Sequence, residues 1–183
     1  MTSKLVELFP SPAADFDHPL EILDSCHQRI RRYCALLGRL VTHLATHGQD
    51  EEALATAKSI LRYFNEAGRN HHLDEEQDLF PALIEAASEK ERVALEVLLT
   101  RLRSEHRSLD ALWGRMCSRL EALVRGHAVL LTEAAAHNFA EAYEQHICLE
   151  ESALLPLARR LLDAPALAHL GASMAARRKT KVA

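Results

Sequence analysis

Two segments of the sequence carry the same arrangement of histidine, glutamate and proline. Residues 71–81 read HHLDEEQDLFP and residues 146–156 read HICLEESALLP, so each contains His-x-x-x-Glu-Glu and ends in proline. On an α-helix, residues four apart share one face and lie about 6 Å apart along the axis. His71 with Glu75, and His146 with Glu150, can therefore each offer an imidazole nitrogen and a carboxylate to one site. That combination is the chemistry of a metal clamp.

The repeat extends beyond these two segments. Each residue of the motif in the first segment has its counterpart in the second segment at the same distance along the chain. A single histidine also precedes each segment at a similar distance: His27 precedes His71, and His106 precedes His146. The pattern predicts two helical hairpins, each with one histidine followed by a His-x-x-x-Glu pair, that face each other. His72 lies about 100° round the helix from His71, so we predict it as an additional ligand.

Long helices must position these residues. Ala, Leu, Glu and Arg dominate, and neither sustained alternation nor an Asn-Gly or Asp-Gly hairpin turn occurs. Apolar residues recur at steps of three and four along four segments, and every candidate ligand except His72 occupies an inward position on one of these stripes. In the first segment the stripe is Leu20, Leu23, His27, Ile30, Cys34, Leu37, Val41 and Leu44.

Short turns near Gly48, Glu89 and Gly126 join the four segments and favour antiparallel neighbours. The predicted fold is all-α, an antiparallel up-down-up-down four-helix bundle over residues 18–162. An N-terminal extension (1–17) is expected before it, and a tail (163–183) with at most a loose or short helix after it.

The inward carboxylates point to metal ions. Burying an isolated carboxylate is costly, so two core-facing glutamates need cations beside them or a raised pKa. Imidazole and carboxylate donors without thiolate disfavour a structural zinc site, and they are too many for one ion. Mixed nitrogen and oxygen ligation suits iron or manganese. We therefore predict a pair of ions, which two glutamates from opposite helices are placed to bridge.

With these residues assembled, the chain resembles the hemerythrin family, including the bacterial HHE cation-binding domains, over roughly residues 18 to 160. The resemblance implies a bundle around an oxygen-reactive centre of two iron ions, bridged by carboxylates and by an oxo or hydroxo group. It implies that Glu75 and Glu150 are the bridging carboxylates. The metal ligands we predict are His27, His71, His72, Glu75, His106, His146 and Glu150.

Two positions depart from the oxygen-carrying hemerythrins. Those proteins place two histidines four apart on the third helix, whereas Asp110 stands at that spacing after His106 here. The fourth helix has His-x-x-x-Glu where the carriers have a longer spacing to aspartate. These departures argue against simple reversible oxygen carriage.

Other polar residues have simpler interpretations. His43 and His47 are four apart, but a histidine beside the helix end at Gly48 favours capping or exposure over chelation. His18, His127, His137 and His169 are given the same interpretation. Glu76 and Glu151 are expected to face neighbouring helices or solvent, with the alternative that they orient a ligand histidine. Core positions are expected for Trp113, Met116 and the four cysteines, Cys26, Cys34, Cys117 and Cys148.

Composition excludes several classes of function. The net charge of −4 with mixed signs provides no basic field for nucleic acid, despite a short basic stretch from Arg177 to Lys181. No secretory leader and no uncharged apolar run of membrane-spanning length is present, so we expect a cytoplasmic protein with no membrane partner. A homodimer is left open.

The leading functional hypothesis is a binding protein for dioxygen or a related small ligand, nitric oxide or peroxide, that serves sensing, storage or stress response. The alternative is a di-iron redox enzyme that decomposes peroxide or reduces oxygen. A ferritin-like iron store ranks below both, because no Glu-x-x-His motif occurs. The dry walls of the ligand pocket are expected to be Leu23, Ile30, Leu102, Leu109 and Trp113.

Overall fold

The computed structural model describes residues 15–179, and every regular element in that range is helical. Helix α1 is Pro19–His47 and helix α3 is Glu89–Val124. Helix α2 spans residues 51–86 as three α-helical segments, Glu51–Tyr63, Arg69–Asp74 and Phe80–Ala86, joined by π-helical turns at Phe64–Gly68 and Glu75–Leu79. Helix α4 spans residues 133–161 as Glu133–Leu149 and Leu155–Leu161 around a π-helical turn at Glu150–Leu154. Helix α5 is Ala164–Lys179.

The helix ends follow from local sequence. Gly48 and Gly126, next to the ends of α1 and α3, have φ of 76° and 78°, a conformation that suits residues without a Cβ. Asp50 and Thr132 cap α2 and α4, each accepting a hydrogen bond from the backbone N–H three positions on. Ser88 begins α3 with a capping box. The connection between α3 and α4 is residues 125–132, longer than the short turn expected at Gly126.

The four long helices pack around a shared interior. Helix α1 packs against α2 and α4, and α3 packs against the same two helices. The interior contains two apolar clusters. One surrounds Ile30, Phe64 and Phe139, and the other surrounds Leu23, Phe80 and Leu102. Along each helix, the candidate ligands lie between residues of one cluster and residues of the other, so a polar layer divides the core.

The C-terminal region differs from the expected loose tail. Residues 164–179 form a helix that packs on α1 and α2 and buries Leu170 and Met174 in the second apolar cluster. Arg177 and Arg178 at its end bind the Asp74 carboxylate, whose side chain is fully buried. The N-terminal extension expected at residues 1–17 lies mostly outside the described residues, as do residues 180–183.

No helix within residues 15–179 combines the length and the apolar character needed to cross a membrane.

Candidate metal centre

The two glutamates of the repeated motif each open a π-helical turn. The Phe80 N–H bonds to the Glu75 carbonyl, and the Leu155 N–H bonds to the Glu150 carbonyl, so each bond spans one position more than in an α-helix. A proline lies just after each turn and cannot donate a hydrogen bond, so a regular α-helical pattern could not continue through it. Widened turns of this kind occur often at functional sites because they change the direction in which side chains project.

The structure brings all seven sequence-predicted ligands into the polar layer. Their exposed fractions are 0% for His27, His71, Glu75 and Glu150, 2% for His106 and His146, and 8% for His72. They form three groups whose candidate ligand atoms lie within 4.8 Å of one another. Two of these groups, one with His27 and His71 and the other with His106 and His146, share both glutamates.

Each glutamate divides its two oxygens between the histidine pairs. Glu75 Oε1 lies 3.5 Å from His71 Nε2, and Glu75 Oε2 lies 3.3 Å from His106 Nε2. Glu150 Oε2 lies 3.0 Å from His27 Nε2, and Glu150 Oε1 lies 2.9 Å from His146 Nε2. A carboxylate placed in this way can contact two ions at once, one beside each histidine pair.

The inward atoms of these side chains lack hydrogen-bond partners among the described residues. They approach one another closely but without hydrogen-bond geometry. Buried polar atoms are seldom left unpaired in native proteins, so this concentration calls for a ligand that accepts many donors. The unpaired atoms are Nε2 of His27, His71, His72, His106 and His146, Nδ1 of His71, and both carboxylate oxygens of Glu75 and Glu150. A set of nitrogen and oxygen donors fits metal cations.

Outer carboxylates fix the orientation of three histidines. Two of these contacts join a glutamate of one hairpin to a histidine of the other. His106 Nδ1 donates to Glu76 at 2.6 Å, and His27 Nδ1 donates to Glu151 at 3.3 Å. The second glutamate of each motif thus holds the single histidine of the other hairpin. His146 Nδ1 donates to Glu105 at 3.0 Å. With Nδ1 engaged, Nε2 of each of these three rings faces the centre.

The protonation of the centre follows its charges. Burial alone would lower the pKa of His106, but Glu150 and Glu75 more than offset that effect and raise it to about 10. Burial also opposes ionisation of Glu150, yet His106 and His146 hold its pKa well below the ordinary value. The buried carboxylates therefore favour positive charge on the imidazoles around them. A metal ion that binds there would displace the protons that carry this charge.

A cavity of about 460 Å³ adjoins one side of the centre, between α2 and α3, and is called the α2–α3 cavity below. His72 and His106 line its inner end, where their rings stack with centroids 4.1 Å apart. His72 Nδ1 lies 3.8 Å from Asp110, which also lines the cavity. Of the five residues expected to form dry walls, only Trp113 is among the described lining residues; the other four are buried in the apolar clusters. The lining is therefore more polar than expected.

The remaining sequence interpretations divide into confirmed and wrong ones. His43 and His47 stand outside the three candidate groups. His47 is exposed as expected, whereas exposure was wrong for His43, which is largely buried and donates from Nε2 to Asp50 at 2.9 Å. The four isolated histidines, at positions 18, 127, 137 and 169, are exposed as expected, and Met116 is buried. The expectation of core cysteines is confirmed for Cys26 and Cys34, which are buried, and was wrong for Cys117, which is only partly buried, and for Cys148, which is exposed. Trp113 is also only partly buried, and its indole N–H donates to Asn65.

Sequence reasoning missed Glu105 and the arginine pair that holds Asp74. The sequence signal for Glu105 was its position directly before His106. In that position the Glu105 side chain is directed toward the neighbouring helix α4, where it contacts His146. Arg31 was also missed; it binds Glu151 and Glu144 and so supports a carboxylate that contacts His27. No sequence pattern marks the partners of these residues, since each contact joins two helices.

Comparison with known proteins agrees with this geometry. The chain matches the model of the hemerythrin HHE cation-binding domain over residues 18–158, a range that contains every candidate ligand. It is 33% identical over 174 residues to an uncharacterized protein of Haemophilus influenzae, a match that covers 95% of this chain and 98% of the relative. From the family match and from the convergence of histidines and glutamates in its core, the chain belongs to the hemerythrin HHE cation-binding domain family.

Proposed function

We propose that this protein holds two iron ions between α1, α2, α3 and α4 and binds dioxygen or a related small ligand, nitric oxide or peroxide, at that centre. Such binding would serve sensing, storage or stress response. The observation that carries the proposal is the set of unpartnered nitrogen and oxygen atoms that converge from seven buried side chains. We further propose that the four helices form an antiparallel up-down-up-down bundle, to which α5 is added.

Each residue has a defined role in this proposal. His27 and His71 would hold one ion, and His106 and His146 would hold the other. Glu75 and Glu150 would bridge the two ions, because each directs one oxygen to either histidine pair. His72 would be an additional ligand on the His106 side, since it forms a close group with His106 and His146.

The choice of iron rests on the donor set. Five imidazoles and two carboxylates without a thiolate suit iron or manganese better than structural zinc. When bound, a pair of iron ions would supply reversible ligand binding and electron transfer to oxygen species. The protein's part is to exclude bulk water with the apolar clusters on both sides of the layer. The outer carboxylates would orient His27, His106 and His146 so that Nε2 of each ring faces the ions.

The alternative function is a redox enzyme that decomposes peroxide or reduces oxygen at the same centre. The polar lining of the α2–α3 cavity favours it, because His72 and Asp110 provide hydrogen-bonding groups beside the centre. Steady turnover of peroxide by the purified, iron-loaded protein would support the enzyme. A single stoichiometric binding event would support the binding protein.

Metal analysis with optical spectroscopy tests the proposal. After anaerobic reconstitution, we expect two irons per chain and a change in the spectrum of the reduced protein when oxygen, nitric oxide or peroxide is added. His71→Ala and Glu150→Ala should each lower the iron content. His43→Ala is the matched control, because His43 is a largely buried histidine paired with Asp50 outside the centre. Fewer than two irons per chain, or no spectral response to any of the three ligands, would contradict the proposal.

A further inference from the structure

The two histidine pairs of the centre have nearly the same geometry. The rings of His27 and His71 meet edge to face, with centroids 4.9 Å apart and an interplanar angle of 87°. The rings of His106 and His146 meet in the same way, at 4.7 Å and 73°. In the repeat, His106 corresponds to His27 and His146 corresponds to His71. Residues next to these histidines can therefore be compared position by position between the two hairpins.

The outer contacts of the histidines follow the same correspondence. The two contacts made by the second glutamate of each motif are equivalent to each other. A third contact crosses from α4 to α3, where His146 Nδ1 donates to Glu105 at 3.0 Å. The counterpart of Glu105 on α1 is Cys26, because each directly precedes the single histidine of its hairpin. The correspondence therefore places Cys26 beside Nδ1 of His71.

The surroundings of Cys26 agree with this placement. Cys26 is 9% exposed and belongs to the second apolar cluster, at the edge of the polar layer. The Tyr63 hydroxyl of α2 donates to the Cys26 carbonyl of α1 at 3.4 Å, so the two helices lie close together at this level. Burial would lower the pKa of His71, but Glu75 and the Cys26 thiol help to raise it well above the ordinary value. The thiol thus acts on His71 as a neighbouring polar group.

Nδ1 of His71 is an atom that needs a partner. It is buried and makes no hydrogen bond within the described part of the chain, whereas Nδ1 of His27, His106 and His146 each donates to a carboxylate. A neutral histidine that binds a metal ion through Nε2 carries its proton on Nδ1, and a buried proton of this kind requires an acceptor. A thiol sulfur can accept a hydrogen bond, although more weakly than a carboxylate oxygen.

We propose that Cys26 is a positioning residue for the metal ligand His71, and that its sulfur accepts from Nδ1 of that ring the hydrogen bond that Glu105 accepts from His146. This inference rests on the proposed function and adds to it a residue that makes the two ion positions different. The Cys26 sulfur would hold the His71 ring with Nε2 toward the ion, as the outer carboxylates do for the other rings.

The exchange of a carboxylate for a thiol changes how strongly a ligand is supported. An outer carboxylate raises the basicity of a metal-binding imidazole, and a neutral sulfur does so less. Glu105 also binds Arg101 through its other oxygen, but Arg101 is 63% exposed, so solvent weakens the effect of that pair on the carboxylate. The ion beside His71 would therefore be the more weakly held and the more easily reduced of the two.

Urea unfolding of the iron-free protein tests the contact without metal. Cys26→Ala should lower the urea midpoint, and this shift should be at least one third smaller when His71→Ala is already present, because residues in contact are not additive. Cys34→Ala is the matched control, since Cys34 is also a buried cysteine of α1, 6% exposed, and stands outside the three candidate groups. Its effect on the midpoint should be the same with and without His71→Ala.

Proton NMR of the cobalt(II)-loaded protein tests the hydrogen bond itself. The paramagnetic ion moves the Nδ1–H signals of bound imidazoles far outside the ordinary range, and these signals exchange with solvent. Cys26→Ala should change the signal of His71 and leave that of His146 in place, whereas Glu105→Ala should do the reverse. Cys26→Ser keeps an acceptor and should restore the signal of His71. Cys34→Ala should change neither signal.

Chelator competition and redox titration of the iron-loaded protein measure the consequence for the ions. Cys26→Ala should weaken the binding of one of the two ions about threefold to tenfold, less than the loss of an outer carboxylate. Cys26→Asp gives α1 the kind of group that α3 has, so it should strengthen the binding of that same ion about tenfold and lower its reduction potential. The second ion should respond to neither change.

The outcomes separate the contact from the metal. Additive effects of Cys26→Ala and His71→Ala on the urea midpoint would overturn the contact. In the loaded protein, an unchanged His71 signal in Cys26→Ala, or equal signals in Cys26→Ala and Cys26→Ser, would overturn the hydrogen bond. Should Cys26→Asp not fold, the alanine and serine variants decide alone. The urea comparison needs no ion, so a chain that loads fewer than two ions would contradict the proposed function while the contact is still decided.

Discussion

Replacing Arg177 and Arg178 together by methionine removes the donors that hold the Asp74 carboxylate. Asp74 lies in α2 directly before Glu75, and its side chain has no exposed surface. Arg178 donates to it at 2.7 Å, Arg177 donates to its other oxygen, and both arginines come from α5. Methionine keeps much of the apolar stem of arginine, so the change isolates the loss of charge and hydrogen bonds.

The expected cost follows from burial. The two arginine side chains are only 16% and 25% exposed, so the pair with Asp74 is largely shielded from water. Removing one partner of a buried ion pair costs about 3–5 kcal/mol, because the remaining charge is left without compensation. For a chain of this length each kcal/mol lowers the melting temperature by roughly 2–4 °C. The double variant should therefore melt on the order of 10 °C lower.

Urea unfolding of the iron-free protein, followed by circular dichroism, measures this cost without the added stability that a bound metal gives. Adding Asp74→Asn to the double variant should recover about half of the loss, since a buried amide without partners costs less than a buried charge. Arg159→Met is the matched control. Arg159 pairs with Asp24 but is 49% exposed, so its loss should cost less than about 1 kcal/mol. The reasoning fails if the double variant is no less stable than Arg159→Met, or if Asp74→Asn recovers nothing.

Three further predictions concern the centre and the caps. Glu76→Gln and Glu151→Gln should each weaken iron binding about 10- to 100-fold in a chelator competition, because His106 or His27 loses its outer carboxylate; the exposed Glu121→Gln should not. Removal of iron by a chelator should lower the urea midpoint, since ligands that are apart in the unfolded chain couple metal binding to folding. Asp50→Ala should lower the melting temperature by a few degrees at pH 7. The backbone N–H of residue 53 and the facing imidazole lower the pKa of Asp50, so this stabilisation is present above the unfolded-state pKa and should disappear as the pH falls below about 4.

The sequence predicted the polar layer well because helical periodicity is a local property. A histidine on an apolar stripe, such as His27 or His106, must face the same interior as its apolar neighbours, and both residues are buried as this argument requires. The repeated motif also predicted that the two helical hairpins face each other. The use of these residues as metal ligands stays a prediction, for which the convergence of unpaired atoms is the support.

Contacts between helices were not predictable in the same way. The sequence shows that Glu76 follows Glu75, but its bond to His106 depends on the rotation and spacing of α2 and α3. Helix α5 was expected only as a loose or short helix, because Asp163, Pro165 and Gly171 are residues that disfavour a helix. Its packing on α1 and α2 overrides this weak local preference. The α2–α3 cavity was missed because a glycine in a helix shows only that a side chain is absent, and not what lies beside it.

The repeat itself explains why the two sides of the centre differ. A perfect duplication would give the two histidine pairs identical surroundings. The inner carboxylates are indeed the same for both pairs, because both pairs share the two glutamates. The outer groups differ: His146 is held by Glu105, whereas the equivalent position before His27 is the buried thiol of Cys26. With His72 and Asp110, Glu105 gives the His106 side three polar or acidic groups at positions where the other side has Ile147, Arg31 and Cys26. The two histidine pairs therefore have different surroundings: Arg31 and Glu151 form an ion pair beside His27, whereas Asp110 and the α2–α3 cavity lie beside His106. Two ions held by the shared glutamates would accordingly differ in the charges and hydrogen-bonding groups around them.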